Sequence, residues 1–347
     1  MGGTLVLSMR SLFMVMTMCT DRPIVVTGAA GFIGSALVRH LNDKGYTDLI
    51  LVDDLGRGGK WKNLRHKRFR DMMSRHMLFD FLKGNGREVQ AFIHLGANSS
   101  TTETNGDLVM EMNYRYSVRL ATYALENNLR FIYASSAATY GDGSMGFADD
   151  EGRLDLLRPL NLYGFSKHLF DKWLQERGVL DRVVGLKYFN IYGPNEYEKG
   201  HMASMVMHMT SQIRDSGKVR LFQSLDEKEF QDGEQRRDFF YVKDAVKMTC
   251  FFLEHDLNGI FNVGSGQAHS WNQMAGVIFD CLGKKAQIEY IPMPEHIKGT
   301  YQNYTCADLS KFDRAMKKNR WVFSPDFSFK SGIRDYLFNY LLRKERW

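Results

Sequence analysis

Apolar residues in the first half of the sequence fall into short continuous runs, and longer segments with helical spacing separate these runs. Short apolar runs are typical of strands buried on both faces, whereas apolar residues three and four positions apart indicate amphipathic helices. The pattern predicts strands over residues 23–27, 49–52, 91–95, 131–134 and 183–188, and helices over residues 32–44, 114–127 and 163–176. Because strands alternate with helices, we predict an α/β fold with a doubly wound parallel sheet.

The pattern changes after residue 190, where helical segments alternate with shorter strands. It predicts helices over 204–215, 269–281 and 331–342, strands over 220–222, 260–263 and 287–290, and an exposed acidic loop over 226–234. We therefore predict a Rossmann domain over residues 23–190 and a smaller, mixed C-terminal substrate domain over residues 191–347. Part of the chain near residues 238–265 could return to the first domain, and we expect ligands in the cleft between the two.

Composition and charge narrow the range of partners. The 347 residues are 44% hydrophobic, which is enough for a sizeable core, and the formal net charge is +6. No run of lysine and arginine is interleaved with aromatic residues, so we predict no nucleic-acid binding. A modest positive surplus is instead compatible with an anionic substrate that carries phosphate groups.

The cysteines, the histidines and the first residues of the chain indicate a cytoplasmic protein without a metal. The four cysteines and ten histidines show no metal-ligand spacing, and scattered thiols are typical of a reducing compartment. The apolar stretch 12–18 is too short to span a membrane, and residues 1–22 lack the charge order of a signal peptide. We predict a disordered extension over residues 1–22 and no membrane span, and a weak membrane contact of that extension stays open.

Three glycines, Gly28, Gly31 and Gly34, stand between the first predicted strand and the first predicted helix. Glycines let the backbone approach a pyrophosphate closely, and the helix N-terminus offers amide donors and the positive end of its dipole. In this strand–turn–helix context, the three glycines predict a dinucleotide-binding turn.

The residues that follow the second strand leave the choice between NAD and NADP open. Asp53 ends that strand and is placed to accept hydrogen bonds from a ribose, which favours NAD. Arg57 and Lys60 follow directly, with Arg75 farther on. These cations could hold a 2′-phosphate, or they could be solvated loop residues.

Tyr163 and Lys167 are four positions apart on a predicted helix, so their side chains share one face. A nearby ammonium favours the phenolate, and we therefore expect Tyr163 to exchange protons nearer neutral pH than an ordinary tyrosine does. Ser136 ends a strand at the carboxyl edge of the sheet, where its hydroxyl could donate to a carbonyl oxygen or cap the following turn. Together the three residues predict a hydride-transfer site with its own acid/base group.

The glycine pattern, Ser136 and the Tyr163–Lys167 pair resemble the extended short-chain dehydrogenase/reductase superfamily, whose members mostly act on nucleotide sugars. Within it, several segments are similar to the ADP-L-glycero-D-manno-heptose 6-epimerase family, namely residues 98–103, 133–141, 162–171, 188–194, 199–204, 237–242 and 298–302. The resemblance implies epimerisation at C6 of an ADP-glycero-manno-heptose by transient oxidation with a tightly bound NADP. It places this reaction in the synthesis of lipopolysaccharide core heptose precursors.

Carried over position by position, the resemblance implies roles for individual residues. Tyr163 and Lys199 would be the two acid/base groups, with Ser136 and Lys167 beside them. Cofactor contacts are implied at Gly28, Gly31, Phe32, Ile33, Gly34, Asp53, Asp54, Lys60, Arg75, Leu95, Gly96, Ala97, Asn98, Ser99, Asn113, Lys167 and Ile191. Substrate contacts are implied at Asn190, His201, His208, Phe222, Gln223, Ser224, Leu225, Arg237 and Tyr301. The resemblance also implies a homo-oligomer and suggests a pentamer.

The sequence departs from the family pattern at several positions. Arg75 stands where the family commonly has lysine, His201 replaces a serine, and Asn195 replaces an arginine. The acidic loop 226–234 is longer than its equivalent in the family. These departures concern the identity of the sugar rather than the class of reaction.

Three other functions make different demands on the sequence. Dehydratases of similar fold carry an Asp–Glu pair after the serine or threonine, and Ala137 and Ala138 occupy those positions here. Another nucleotide-sugar epimerase or a ketoreductase would use the same tyrosine, lysine and serine, but a ketoreductase leaves Lys199 without a role. A non-catalytic cofactor-sensing scaffold often lacks the tyrosine or the lysine, and both are present.

Overall fold

The computed structural model describes residues 22–85, 88–226 and 228–347. The prediction of a disordered extension therefore concerns residues that, apart from Arg22, lie outside the described part of the chain. The strands are β1 (Ile24–Thr27), β2 (Leu49–Val52), β3 (Asp71–Met73), β4 (Ala91–His94), β5 (Arg130–Ser136), β6 (Val184–Tyr188), β7 (Asn190–Tyr192), β8 (Val219–Phe222), β9 (Arg236–Tyr241), β10 (Gly259–Val263), β11 (Ala268–Ser270) and β12 (Ile288–Ile291). The α-helices are α1 (Phe32–Asp43), α2 (Leu78–Asn85), α3 (Gly106–Val109), α4 (Tyr116–Glu126), α5 (Leu162–Glu176), α6 (Met205–Ser216), α7 (Val242–Glu254), α8 (Trp271–Cys281), α9 (Glu295–Lys298), α10 (Ser310–Asn319) and α11 (Phe329–Tyr336).

A parallel sheet of seven strands forms the centre of the described residues, in the order β3-β2-β1-β4-β5-β6-β10. Every pairing between neighbouring strands of this sheet is parallel. The chain runs outward from β1 to β3 and then crosses to β4 on the other side of β1. The predicted doubly wound Rossmann sheet is therefore confirmed, and in such folds ligands bind at the carboxyl ends of the strands beside this reversal.

The last strand of this sheet, β10, comes from beyond residue 190. It pairs with β6 from Gly259 opposite Val184 to Val263 opposite Tyr188. Residues within the segment 238–265 thus contribute to the central sheet, while other strands of the later chain form two small sheets, β7-β9-β11 and β8-β12. The division of the chain into domains at residue 190 stays a prediction.

Alternation along the buried strands divides the core into two layers. In β1, Ile24 and Val26 pack into the cluster on one face of the sheet, whereas Val25 packs into the cluster on the other face. Successive side chains in a strand point to opposite faces, so a strand covered on both sides has to be apolar throughout. This requirement explains why β1 and β2 occur in the sequence as uninterrupted apolar runs.

Two predicted helices differ from the structure for local reasons. The helix predicted over 269–281 begins as strand β11, where Ser270 pairs with Arg236 and then caps α8 through a reciprocal capping box with Gln273. The helix predicted over 114–127 is preceded by α3 and by a π-helical turn, Met110–Arg115. Strands β3, β7 and β11 were not predicted, because they are too short to show a hydrophobic periodicity. Strand β9 and helices α2, α7 and α10 were also not predicted.

Two predictions about the surface can also be compared with the structure. The described residues of the acidic stretch 226–234 form neither helix nor strand; four of the eight are exposed, whereas Gly233 is buried. Within the described ranges, no helix combines the length and the apolar composition that crossing a membrane requires.

A buried ion pair joins helix α5 to the centre of the sheet. Asp171 of α5 is fully buried, and its carboxylate accepts hydrogen bonds from the hydroxyls of Tyr133 (2.9 Å) and Ser135 (2.8 Å) in β5. Lys187 Nζ of β6 lies 3.0 Å from the same carboxylate and also donates to Thr139 Oγ1 (2.6 Å). These hydrogen bonds compensate the two charges for the loss of water on burial.

Asp171→Asn keeps the shape of the side chain but leaves Lys187 without a counter-charge. We predict a loss of about 3–5 kcal/mol in the free energy of unfolding, because an uncompensated charge then stays buried. Asp155→Asn is the matched control, since Asp155 pairs with Lys172 at 2.6 Å but its side chain is 72% exposed; its effect should be far smaller. Urea denaturation followed by circular dichroism measures the free energy of unfolding of each variant. Equal stabilities of the two variants would contradict the prediction.

Candidate active site

A cleft of about 850 Å³ lies at the carboxyl ends of β1, β2, β4 and β5. Ligand sites of doubly wound sheets occur at this edge, and a cleft of this size can enclose a large ligand. The predicted site residues that line it are Gly28, Gly31, Phe32, Ile33, Gly34, Asp53, Asp54, Lys60, Arg75, Leu95, Gly96, Ala97, Asn98, Ser99, Ser136, Tyr163, Lys167, Asn190, Ile191, Lys199 and His201.

The glycine turn is packed so closely that side chains would not fit at two of its positions. Gly28 has a φ of +69°, and a Cβ atom there would lie 2.7 Å from Gly96 Cα in the turn after β4. A Cβ atom at Gly34, in the first turn of α1, would lie 2.0 Å from Gly28 O. Bare backbone therefore lines the cleft at the N-terminus of α1, where amide donors and the helix dipole suit a pyrophosphate. The residues present fit a dinucleotide.

Acidic and basic side chains are paired with one another at the end of β2. Asp53 accepts a hydrogen bond from Ala30 N in the glycine turn (2.8 Å), and Lys60 Nζ binds its other oxygen. Asp54 pairs with Arg75, with 2.9 Å between Oδ2 and Nε. The structure thus places the acidic residue that favours NAD beside the cations that favour NADP.

Asn113 does not line the cleft but supports the turn after β4 through hydrogen bonds. It is fully buried in the π-helical turn, where its Oδ1 accepts from Asn98 N (2.8 Å) and its Nδ2 donates to Asn98 O (2.9 Å). Nδ2 also donates to Ser166 Oγ of α5 (3.0 Å). The position of Asn113 therefore fixes the Leu95–Ser99 turn against α5, and π-turns of this kind often occur at functional sites.

Tyr163, Lys167 and Ser136 come together at the junction of α5 and β5. Ser136 is the last residue of β5, and its Oγ accepts a hydrogen bond from Ala138 N (3.1 Å), so the turn-capping role is present. Tyr163 and Ser136 both line the cleft, and Lys167 Nζ donates to Ala134 O (2.8 Å). A substrate oxygen in the cleft could therefore meet a phenol and a second hydroxyl together.

Burial, rather than the neighbouring ammonium, controls the pKa of Tyr163. Loss of water raises the pKa of Tyr163 above its usual value, and the neighbouring Ser136 hydroxyl opposes that rise. Loss of water also lowers the pKa of Lys167 to about 8, against the attraction of Asp171. The expectation that Lys167 brings the pKa of Tyr163 toward neutrality is wrong for this structure, because burial favours the neutral form of both groups.

Lys199 lies in a short 3₁₀ helix, Tyr197–Met202, and its side chain lines the cleft. Its Nζ is 5.2 Å from the centre of the Phe32 ring at the start of α1. Burial lowers the pKa of Lys199, and the negative charge of buried Glu196 opposes this effect. The structure therefore places Lys199 inside the site rather than on a solvated surface loop.

The two predicted substrate histidines occupy different positions. His201 lines the cleft but is exposed, and its Nε2 is 3.3 Å from Thr102 Oγ1. His208 of α6 is outside the lining, with its Nε2 3.3 Å from His201 O. His208 thus contacts the backbone of the Lys199 helix.

Arg237, Tyr301 and Phe222 form a cluster that adjoins the cleft without lining it. The Arg237 guanidinium carbon lies 5.0 Å from the centre of the Tyr301 ring and 5.7 Å from that of Trp271. The Phe222 and Tyr301 ring centres are 6.3 Å apart, and Trp271 Nε1 donates to the Tyr301 hydroxyl (2.9 Å). Because Trp271 lines the cleft, it connects this cluster to the site.

The predicted substrate residues that follow Phe222 are not brought into the cleft. Gln223, Ser224 and Leu225 lie in the loop after β8, where Ser224 N donates to Asp232 Oδ1 (2.7 Å). Conversely, the sequence analysis missed several lining residues, namely Asn63, Glu198, Trp271 and Met274. Among these four, only Trp271 occupies a position that a local pattern could have indicated, because it directly follows the N-cap residue of α8.

The histidines, cysteines and acidic residues of the described chain are not arranged to hold a metal ion in any group of three or more. Cys250, Cys281 and Cys306 are free thiols.

Comparison with known proteins identifies the family. The family model described as NAD dependent epimerase/dehydratase family matches residues 24–264. The ADP-L-glycero-D-manno-heptose-6-epimerase of Nitratidesulfovibrio vulgaris is 44% identical over 320 residues, which cover 91% of this chain and 97% of that protein. The enzyme of the same name from Alkalilimnicola ehrlichii is 46% identical over 325 residues, which cover 90% and 96%.

A solved structure agrees with these sequence relationships. The crystal structure of the Helicobacter pylori ADP-L-glycero-D-manno-heptose-6-epimerase has a TM-score of 0.75 and 29% identity, and the match covers 92% of this chain and 96% of that chain. The resemblance found in the motifs is confirmed, and the cofactor of the family is a nicotinamide adenine dinucleotide. This chain belongs to the NAD dependent epimerase/dehydratase family and, within it, to the ADP-L-glycero-D-manno-heptose-6-epimerases.

Proposed function

We propose that this protein inverts C6 of an ADP-glycero-manno-heptose by transient oxidation with a tightly bound NADP. The names of its relatives support this substrate. The observation that carries the proposal is that Tyr163 and Lys199, from distant parts of the sequence, line one cleft beside the glycine turn. By the same resemblance, we propose a cytoplasmic enzyme in the synthesis of lipopolysaccharide core heptose precursors.

The cofactor would be held by the backbone of the glycine turn and by the charged residues at the end of β2. When bound, its nicotinamide accepts and returns the hydride that is exchanged at the inverted carbon. Lys60 and Arg75 support NADP, because both could pair with a 2′-phosphate. Asp53 already accepts from Ala30 N and Lys60, and Arg75 is paired with Asp54, so a 2′-phosphate would replace these carboxylates as the partner of the two cations.

Proton transfer explains why two acid/base groups are useful. The hydroxyl on the inverted carbon must lose a proton as the ketone forms, and its oxygen must regain one as the opposite configuration forms. A ketone that turns within the cleft presents its oxygen to a different side, so each configuration can have its own group. Tyr163, with Ser136 beside it, would serve one configuration, and Lys199 would serve the other. The lowered pKa of Lys199 increases the neutral fraction that can accept a proton.

The substrate would extend from these groups toward the cluster around Arg237. The Arg237 side chain is almost completely buried and contacts Arg236 O (2.9 Å) and the rings of Tyr301 and Trp271. A desolvated guanidinium over aromatic rings suits a diphosphate. Asn190 and His201 line the cleft between, and we propose that they contact the sugar.

We further propose that the protein acts as a homo-oligomer, for which the resemblance suggests a pentamer. Large apolar side chains that stay exposed, including Leu156 and Phe165, support self-association. Phe165 lies in α5 two residues after Tyr163, so it points to a different face of the helix and does not line the cleft.

The function is tested by incubating the purified protein with ADP-heptose of one C6 configuration and following the C6 proton by NMR. We expect both epimers to accumulate without added cofactor, since the cofactor is regenerated in each cycle. A product that has eliminated water would indicate a dehydratase, and a stable reduced product would indicate a ketoreductase. An unchanged sugar beside a bound cofactor would indicate a sensing scaffold.

Tyr163→Phe removes the phenolic proton but keeps the ring. We predict that epimerisation falls by about a hundredfold to ten-thousandfold, the usual contribution of a general acid/base, while the bound cofactor is retained. Tyr123→Phe is the control, because its hydroxyl contacts Leu82 O (3.3 Å) outside the cleft. Turnover of Tyr163→Phe at the rate of this control would remove Tyr163 from the mechanism.

Lys199→Met replaces the second proposed base with a side chain of similar length. We predict a loss of epimerisation of the same order, with unchanged fold and cofactor content, because one configuration then lacks its proton-transfer group. Lys330→Met, at an exposed position of α11, is the control. NMR of the epimers and absorbance of the released cofactor measure the two quantities. Full activity in Lys199→Met would leave Tyr163 as the single acid/base group.

Denaturing the purified protein and identifying the released cofactor by mass tests the choice of NADP. We expect NADP, and we expect Arg75→Ala to shift the binding preference toward NAD by about tenfold, since a charged hydrogen bond contributes roughly 1.5–3 kcal/mol. Lys83→Ala, an exposed cation of α2, is the control. Recovery of NAD alone would show that Asp53 outweighs the cations.

A further inference from the structure

The segment 345–347 packs against the first two residues of the Lys199 helix. Tyr197 donates a hydrogen bond from its hydroxyl to Glu345 O (2.7 Å). The Arg346 guanidinium pairs with the Glu198 carboxylate and lies 5.0 Å from the centre of the Tyr197 ring. Both residues that directly precede Lys199 are therefore held from the far end of the sequence.

Asn195 makes a second connection to the same segment. Its side chain binds the backbone nitrogen and oxygen of one residue, because Oδ1 accepts from Trp347 N (2.9 Å) and Nδ2 donates to Trp347 O (2.9 Å). Nδ2 also donates to Ser35 Oγ of α1 (3.0 Å). Asn195 is 1% exposed and has a φ of +79°, a left-handed conformation that surrounding contacts have to maintain in a residue other than glycine.

Asn63 joins these contacts to the glycine turn. Its Nδ2 donates to Ala30 O (3.1 Å) and to Asn195 O (3.2 Å), and its Oδ1 accepts from Arg346 Nε (2.7 Å). One side chain thus contacts the dinucleotide-binding turn, the 195–202 segment and the 345–347 segment. The Glu198 carboxylate also lies close to Gly59, where a Cβ atom would be 2.7 Å from its Oε1.

We propose that Arg346 and Asn195 are positioning residues, which fix the 195–202 segment so that the Lys199 side chain stays enclosed in the cleft. This inference rests on the proposed function of Lys199. Proton transfer depends on placing the base within hydrogen-bond reach, and a displacement of about 1 Å can cost roughly a hundredfold in rate. Gly200, with a φ of +55°, follows Lys199 directly. The contacts that precede the lysine therefore add to those that His201 makes after it with Thr102 and His208.

Arg346→Ala tests the proposal, with Arg343→Ala as the matched control because Arg343 is an exposed arginine three residues earlier. Hydrogen exchange of the cofactor-bound protein without substrate provides a measurement that does not depend on catalysis. We expect the Lys199 amide, which donates to Glu196 O (3.0 Å), to exchange about tenfold faster in Arg346→Ala than in the control. Equal exchange in the two variants would overturn the proposal.

Turnover per bound cofactor then measures the effect on catalysis. We expect kcat to fall between about tenfold and a hundredfold in Arg346→Ala with little change in KM, because the base rather than the substrate site is displaced. Arg346→Lys keeps a charge for Glu198 but loses the Nε contact with Asn63, and it should recover part of the rate. Faster exchange with unchanged kcat would overturn the positioning role, whereas full activity in Lys199→Met would overturn the proposed role of Lys199 on which this inference rests.

Discussion

The active site depends first on a single buried carboxylate. Asp171 accepts hydrogen bonds from Tyr133 and Ser135 of β5 and pairs with Lys187 of β6, so it fixes α5 against two strands at once. The same helix carries Tyr163, and the residue after Ser135 is the last of β5, Ser136. Because α5 and β5 are rigid elements, holding them together at Asp171 also sets the distance between the two hydroxyls that meet in the cleft. The attraction of Asp171 for Lys167 partly offsets the effect of burial on the pKa of that lysine.

The Lys199 side of the cleft is held in a different way. No regular helix or strand of the central sheet carries this residue, and its 3₁₀ helix contains a left-handed glycine. Contacts from remote parts of the chain take the place of a rigid element, through Asn63, Asn195 and Arg346. These contacts are hydrogen bonds and a partly exposed ion pair, each of which contributes little by itself. The site thus combines one wall held by a buried ion pair with one wall held by several weaker contacts.

This contrast also explains what the sequence could reveal. Buried strands, the glycine turn and the four-residue spacing of Tyr163 and Lys167 are local patterns, and the structure agrees with them within a few residues. The return of the chain near 238–265 to the first domain was expected, but its register with β6 and the pairing of Asn195 with Trp347 connect positions far apart in sequence, for which one sequence contains no local signal. The prediction for the pKa of Tyr163 was wrong for a related reason. The four-residue spacing indicated that the Lys167 ammonium lies near Tyr163. The burial that raises the pKa of Tyr163, however, depends on all the residues that surround it in the fold.

Burial has opposite consequences for the acidic and basic groups of this cleft, and this difference suits an inversion reaction. Loss of water raises the pKa of Tyr163 and lowers the pKa of Lys199, so burial shifts both groups toward their neutral forms. A neutral phenol can donate a proton and a neutral amine can accept one. An epimerisation is nearly symmetric, and in each direction it needs one group that accepts a proton and one that donates it. Tyr163 and Lys199 both line this cleft, so in the proposed mechanism the tyrosine would give up a proton as the lysine takes one, and the pair would then be ready for the reverse direction.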